Sequence, residues 1–309
     1  MYFGAFVAAC FASSVVSGMA PGINPYQDWS ILADRLQQVG LKIFGGDFKR
    51  YDASVQPYLL EAILDYINKW YRFNNPSYDP EDERVRKILW LDLIHSRHLT
   101  GLRGELDVLV QWNKCMPSGH PLTTVVNSMY ALVTLTACYA TLTGDYIDMW
   151  SHVFINTYGD DNINAVDDKV SEIFNQVTVS AQMMKLFGLV YTSDKKDAEL
   201  TPYTTLENVT FLKRSFARDD DADGGWAAPL DPDSFLYIPY WCRNQRDVPG
   251  EMYRGVQQML GELCLHPPDQ WDHYYSILEK FSAENNFDLP FLSREGAREW
   301  VLSRTDAWY

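Results

Sequence analysis

The chain has 309 residues, 47% of them hydrophobic and 14% aromatic, which excludes a disordered protein and supplies one large core or two to three subdomains. Its net charge of −15 argues against a surface that grips phosphate backbones by bulk attraction, so any polyanion is expected to be met by metal ions or by a basic surface on a part of the protein outside this chain. Cys10, Cys115, Cys138, Cys242 and Cys264 are odd in number and lack paired CxxC spacing, so they predict reduced, mostly packed thiols, with no disulfide frame or zinc site.

In chain order, residues 2–16 predict a helix. No Lys or Arg precedes this apolar run, and Ser13, Ser14, Ser17, Gly18 and Pro21 interrupt it before the roughly 20 residues a membrane span needs. A buried helix is therefore expected, with no integral membrane span. A breaker-rich loop covers 18–27, and Trp29, Leu32 and Leu36 recur at helical spacing within 28–39. LKIFGGD (41–47) reads as a strand that ends on a carboxylate, and 57–73 as a long helix.

Residues 74–100 read as polar and turn-rich, and an extended segment around 105–113 leads into MPSGHP. From Thr123, a candidate N-cap, to about Thr141 the pattern is helical, with Val126, Met129, Tyr130, Val133 and Leu135 as its buried stripe. Segments 152–158 and 162–166 flank a Gly-Asp-Asp turn, a hairpin signal. A helix over 168–188, a short strand near 189–193 and a strand pair within 208–216 come next. After Arg218 the acidic run DDDADGG marks a boundary, and the remainder is read as helical near 249–264, 268–284 and 292–303.

The chemistry concentrates in three places. YGDDN (158–162) exposes adjacent carboxylates at a hairpin tip, an arrangement that repels itself unless a cation sits there. Asp47 stands at a strand end, with Asp52 five residues on. If strand 41–47 lies beside the hairpin, Asp47 and Asp160 bracket two hard cations about 4 Å apart, the arrangement for in-line phosphoryl displacement. PSGHPLTTVVNSM (117–129) offers a flexible Ser118-Gly119 loop feeding a helix. On that helix Thr123 and Asn127, four apart, share a face and can aim a hydroxyl and an amide at a sugar.

Taken in order, DFKRYD, PSGHPLTTVVNSM, YGDDN, FGLVYTSDKK and FLKRSF resemble the consecutive motifs A to E of picornavirus-like RNA-dependent RNA polymerases, and MAPGINPYQDW resembles the finger segment before motif A. The resemblance spans roughly 18–216. It implies an α+β fold: an antiparallel palm sheet with packed helices, partial fingers and a mainly helical thumb. Its boundaries would put partial fingers at 1–40, palm at 41–60 and 115–217, a fingers insertion at 61–114 and thumb at 218–309.

The resemblance also implies roles. Asp47 and Asp160, supported by Asp161, would hold magnesium or manganese. Asp52 and Asn127, with Ser118, Gly119 and Thr123, would bind the nucleotide and read its 2′-hydroxyl. Lys196, or its neighbour Lys195, would protonate the leaving pyrophosphate, and Lys213 and Arg214 would steady the primer backbone. Template and product RNA, nucleoside triphosphates and other viral replication proteins are the implied partners, in the host cytoplasm at membrane-associated replication complexes.

Two departures bear on this. His120, Pro121 and Leu122 stand where small residues are expected, so loop mobility should differ, and no basic finger motif precedes Met1, so the chain by itself is expected to be inactive or nearly so. A reverse transcriptase shares the palm, but Asp52 with Asn127 disfavours it, because a DNA-making enzyme blocks the 2′-hydroxyl with a bulky aromatic. A folded fragment serving only as a binding module is the rival from another class.

Remaining features have plainer readings. DDDADG (219–224) has Leu230 where a calcium loop needs its Glu and is expected to be a solvated loop. His95, His98 and His152 lack a sensibly spaced third ligand, and Trp226, Trp241, Trp271 and Trp300 are expected to pack a helical core.

Overall fold

The computed structural model describes residues 2–100, 108–113, 115–195, 198–219 and 223–304. It divides into two compact units, Met1–Ile23 with Arg35–Thr205, and Asn24–Asp34 with Leu206–Tyr309. The boundary near 205 falls a dozen residues before the expected one, so the FLKRSF segment belongs to the second unit.

The first unit runs α1 (Gly4–Ala12), the end of α2 (Trp29–Val39), β1 (Lys42–Phe48), α3 (Tyr51–Ser54), α4 (Pro57–Asn74) and α5 (Pro80–Ile94). It continues with β2 (Arg97–Thr100), β3 (Val108–Gln111), α6 (Thr123–Thr143), α7 (Met149–His152), β4 (Val153–Tyr158), β5 (Asp161–Val166), α8 (Asp168–Ser171), α9 (Gln176–Phe187) and β6 (Tyr191–Ser193). Its frame is an antiparallel sheet of order β4-β5-β1-β6. Strands β4 and β5 close through a two-residue loop between Tyr158 and Asp161, in which Gly159 takes a positive φ of 62°.

Helices α6 and α9 pack together and complete a core with Phe44, Tyr130, Leu135, Phe174, Val179 and Met183. Among the described residues, α6 is the one helix long and apolar enough to cross a membrane, and 61% of its apolar window is buried inside this unit. Core packing accounts for that composition. Of its predicted stripe, Val133 is instead 37% exposed.

The second unit pairs β7 (Ala217–Arg218) with β8 (Trp226–Ala227) and adds α10 (Pro232–Phe235), α11 (Val248–Leu263), α12 (Pro268–Asn285) and α13 (Arg294–Leu302). Phe235, Leu260, Leu263, Trp271 and Val301 form its core. Residues 24–34 join it because Trp29 stacks on Phe216 at 4.7 Å and donates its indole N–H to the Ser215 carbonyl at 3.1 Å.

Four expectations change. The stretch read as turn-rich holds α5, which Asp79 caps by accepting from the Glu81 N–H, and which buries Arg86, Trp90, Leu93 and Ile94 at helical spacing. Its dense charge hides this stripe from a polarity reading. The helix expected over 168–188 is broken between α8 and α9, because Asn175 leaves the helical path to form a capping box with Thr178. In place of a strand pair at 208–216, a single bridge joins Phe211 and Arg214 around Leu212 and Lys213, at φ 56° and 59°. Thr123 is the first helical residue and Leu122 stands at the cap position.

Candidate active site

The cation-facing half of the site begins with register. In β1 and β5, Gly46 pairs with Asn162, so the next residue, Asp47, meets the strand end that carries Asp161 and the Gly159-Asp160 loop. On its other side Asp47 pairs with Thr192 of β6. Asp160 is exposed at the tip, yet its carboxyl lies above the ordinary value. Desolvation is the main cause, followed by repulsion from Asp47 and then Asp52, with the backbone N–H groups of Asp160 and Asp161 opposing. Solvent screens much of this effect at so exposed a position. The tip is placed by Ser128 of α6, whose hydroxyl accepts the Gly159 N–H at 2.8 Å, and by Thr157, whose hydroxyl donates to the Ser128 carbonyl at 2.9 Å.

Among the described residues no three His, Cys, Asp or Glu side chains already form a metal cage. One Asp47 oxygen instead accepts the N–H of Phe48 at 2.7 Å. Hard oxygen donors on adjoining strand ends nevertheless fit magnesium, which takes one or two carboxylates, keeps several waters and completes its shell with substrate phosphates. The mutual repulsion felt at Asp160 is what such an ion would relieve.

The second half is already wired. The two Asp52 oxygens accept separately, one from the Ser118 hydroxyl at 2.9 Å and the other from the Asn127 amide at 3.2 Å. The Asp52 carbonyl accepts the Met116 N–H at 3.2 Å, and Tyr51 donates to the Asn127 carbonyl at 2.8 Å. The structure thus gathers Asp52, Ser118 and Asn127. Thr123 stays outside their cluster because its hydroxyl donates to the Pro117 carbonyl at 2.6 Å, pinning the loop. Gly119, at φ 86°, turns that loop outward. A cavity of about 710 Å³ lies along the same loop, lined by Trp90, His98, Ser118 and Pro121, and neither Asp47 nor Asp160 reaches its wall.

Other predicted residues separate from these. Lys196 lies outside the described residues, while Lys195 is exposed just after β6. In the second unit Lys213 is exposed, but Arg214 is buried and makes a two-pronged pair with Glu262, 2.8 Å at each prong, plus a 2.8 Å bond to the Ala228 carbonyl. Arg214 is therefore a structural anchor and does not present its guanidinium to a ligand. Asp219 of the acidic run, expected to be solvated, is paired with Arg298 at 2.6 Å.

Sequence reasoning passed over Ser128, Asn162 and Tyr191. A signal existed in β5, where Asn162 and Asn164 alternate inside an otherwise apolar strand, because buried amides demand partners.

The family model described as viral RNA-dependent RNA polymerase matches residues 1–266. The chain belongs to that family. A replicase polyprotein of acute bee paralysis virus is 31% identical over 294 residues, covering 91% of this chain and 15% of the polyprotein. One of cricket paralysis virus is 27% identical over 290 residues, covering 90% of this chain and 16% of the polyprotein. The solved Sicinivirus 3Dpol RNA-dependent RNA polymerase shares the fold at a TM-score of 0.79 and 17% identity, with 98% of this chain and 59% of that chain covered. The chain thus spans a small part of its polyprotein relatives and rather more than half of the solved Sicinivirus protein.

Proposed function

We propose that this chain carries the catalytic centre of a polymerase that copies RNA from nucleoside triphosphates, by attack of a product 3′-hydroxyl on the α-phosphate with release of pyrophosphate. On this reading the first unit contains the palm and the second the thumb. Magnesium or manganese, held by Asp47 and Asp160 with Asp161 in support, would neutralise phosphate charge and favour the attacking oxygen.

The chain's own residues supply the rest. Asp52, oriented by Ser118 and Asn127, accepts the ribose 2′-hydroxyl and so selects ribonucleotides. Lys196 or Lys195 delivers a proton to the leaving pyrophosphate, and Lys213 holds a backbone phosphate without reading a base. Viral replication proteins are further partners on this reading, in keeping with the polyprotein origin of the relatives.

One observation carries the proposal: Asp52 joins Ser118 and Asn127 in the same unit whose strand register brings Asp47 to the Asp160 turn. The test is template-directed incorporation of ribonucleotides against deoxyribonucleotides, assayed on this chain alone and on the longest natural reading frame that contains it, with Asp160→Asn as control. Incorporation of ribonucleotides that needs magnesium and Asp160 is expected. If the protein of that reading frame makes no more RNA than its Asp160→Asn variant, the reading fails.

A further inference from the structure

Behind the carboxylates, three strands meet in a buried polar contact that takes no direct part in the proposed chemistry. Gly46, Asn162 and Tyr191 lie on β1, β5 and β6, and the registers Gly46–Asn162, Gly46–Ser193 and Phe48–Tyr191 put all three on one face of the sheet. Tyr191 is buried and donates its hydroxyl to the Asn162 amide oxygen at 2.7 Å. The same oxygen accepts from Asn164 at 2.8 Å. The Asn162 amide nitrogen donates to the Gly46 carbonyl at 3.0 Å and to the Asp160 carbonyl at 3.4 Å. Two donors face its oxygen and two acceptors its nitrogen, so the amide has one orientation only.

These partners matter because of their neighbours along the chain. The Gly46 carbonyl belongs to the peptide that leads into Asp47, and the Asp160 carbonyl to the turn itself. One side chain therefore ties together the backbones of both proposed cation ligands. Gly46 is part of the same device, since a methyl group built there would overlap the Tyr191 hydroxyl and ring. Burial also pushes the Tyr191 hydroxyl far above its ordinary pKa, which keeps its proton available to donate.

We propose that Tyr191 is a positioning residue: through Asn162 it fixes the separation of Asp47 and Asp160, and Gly46 is the glycine that its ring requires. This rests on the polymerase reading of the site. Tyr191 touches neither substrate nor metal in this role. It acts as outer partners of metal ligands act elsewhere, by holding the ligand-bearing backbone still.

The test reads manganese binding to the full chain by electron paramagnetic resonance, together with thermal midpoints. The parent should show a manganese site that Asp160→Asn removes. Tyr191→Phe, which deletes only the hydroxyl, should weaken that site about tenfold. Tyr71→Phe, which removes a buried hydroxyl that accepts the Phe6 N–H at 3.2 Å, should lower the midpoint and leave manganese affinity unchanged. Gly46→Ala should weaken binding through overlap with the ring, and adding Tyr191→Leu should restore part of it.

Parent-like affinity in Tyr191→Phe overturns the positioning role alone, as does a double variant no better than Gly46→Ala. A parent with no manganese site dependent on Asp160 overturns the polymerase reading and the positioning role together.

Discussion

The two halves of the proposed site are held in opposite ways. Around Asp52 the protein supplies its own partners, so both carboxylate oxygens are engaged by neutral donors from Ser118 and Asn127. Around Asp160 it supplies more negative charge, from Asp47 and Asp52, and anchors the backbone of the turn through Ser128 and Asn162. A sugar hydroxyl can be read by a preformed hydrogen-bond network, whereas a divalent ion needs charge that the protein must leave uncompensated. Rigidity is therefore built into side chains in one half and into strands in the other.

The largest expected break in this comparison is at the charged half. Asp47→Asn or Asp160→Asn should lower RNA synthesis by on the order of a thousandfold, because each removes a ligand worth several kcal/mol of transition-state charge stabilisation. Single-turnover extension rates in magnesium measure it, and a loss below tenfold would remove these residues from the centre.

Next comes the wired half. Asn127→Ala should reduce preference for ribonucleotides by about 10- to 100-fold, since an acceptor for the 2′-hydroxyl loses its orientation. The ratio of kcat/KM for matched ribo- and deoxyribonucleotides checks it. An unchanged ratio with slower synthesis would mean that the cluster merely supports the loop.

A smaller effect separates the halves without any substrate. The Asp160 carboxyl is raised in the folded chain, so its protonation favours folding at low pH, and that contribution disappears as pH rises through the raised value. In chelator, Asp160→Asn should then melt about 1–2 °C above the parent at neutral pH. The gap should shrink as pH falls into the ordinary carboxylate range, and magnesium should close it by stabilising the parent. A variant that melts lower at every pH would contradict repulsion at the tip.

Smallest is Ser118→Ala. Ser118 is exposed and Asp52 keeps its bond to Asn127, so discrimination should fall only about two- to fivefold with an unchanged melting point. A larger loss would make the loop hydroxyl the principal orienter of Asp52.

Local pattern alone determined much of this protein. Strand-end carboxylates, the two-residue hairpin loop, long amphipathic helices and the order of five motifs are all local features, and the structure retains β1, α4, α6, the β4–β5 hairpin and the helices after residue 247 near their expected bounds. Helix α5 was legible too, through Trp90, Leu93 and Ile94, but its charged surface obscured the stripe.

Only tertiary structure decided what depends on partners distant in sequence. Arg214 reads as a phosphate contact until Glu262, 48 residues on, claims its guanidinium. Thr123 reads as a sugar ligand until its hydroxyl turns to Pro117. Asn162 and Tyr191 carry no assigned role in the linear sequence until three strands close around them. Periodicity and turn chemistry act between near neighbours and so survive in a linear string, while burial and hydrogen-bond pairing are settled only when remote segments compete for the same donors and the same space.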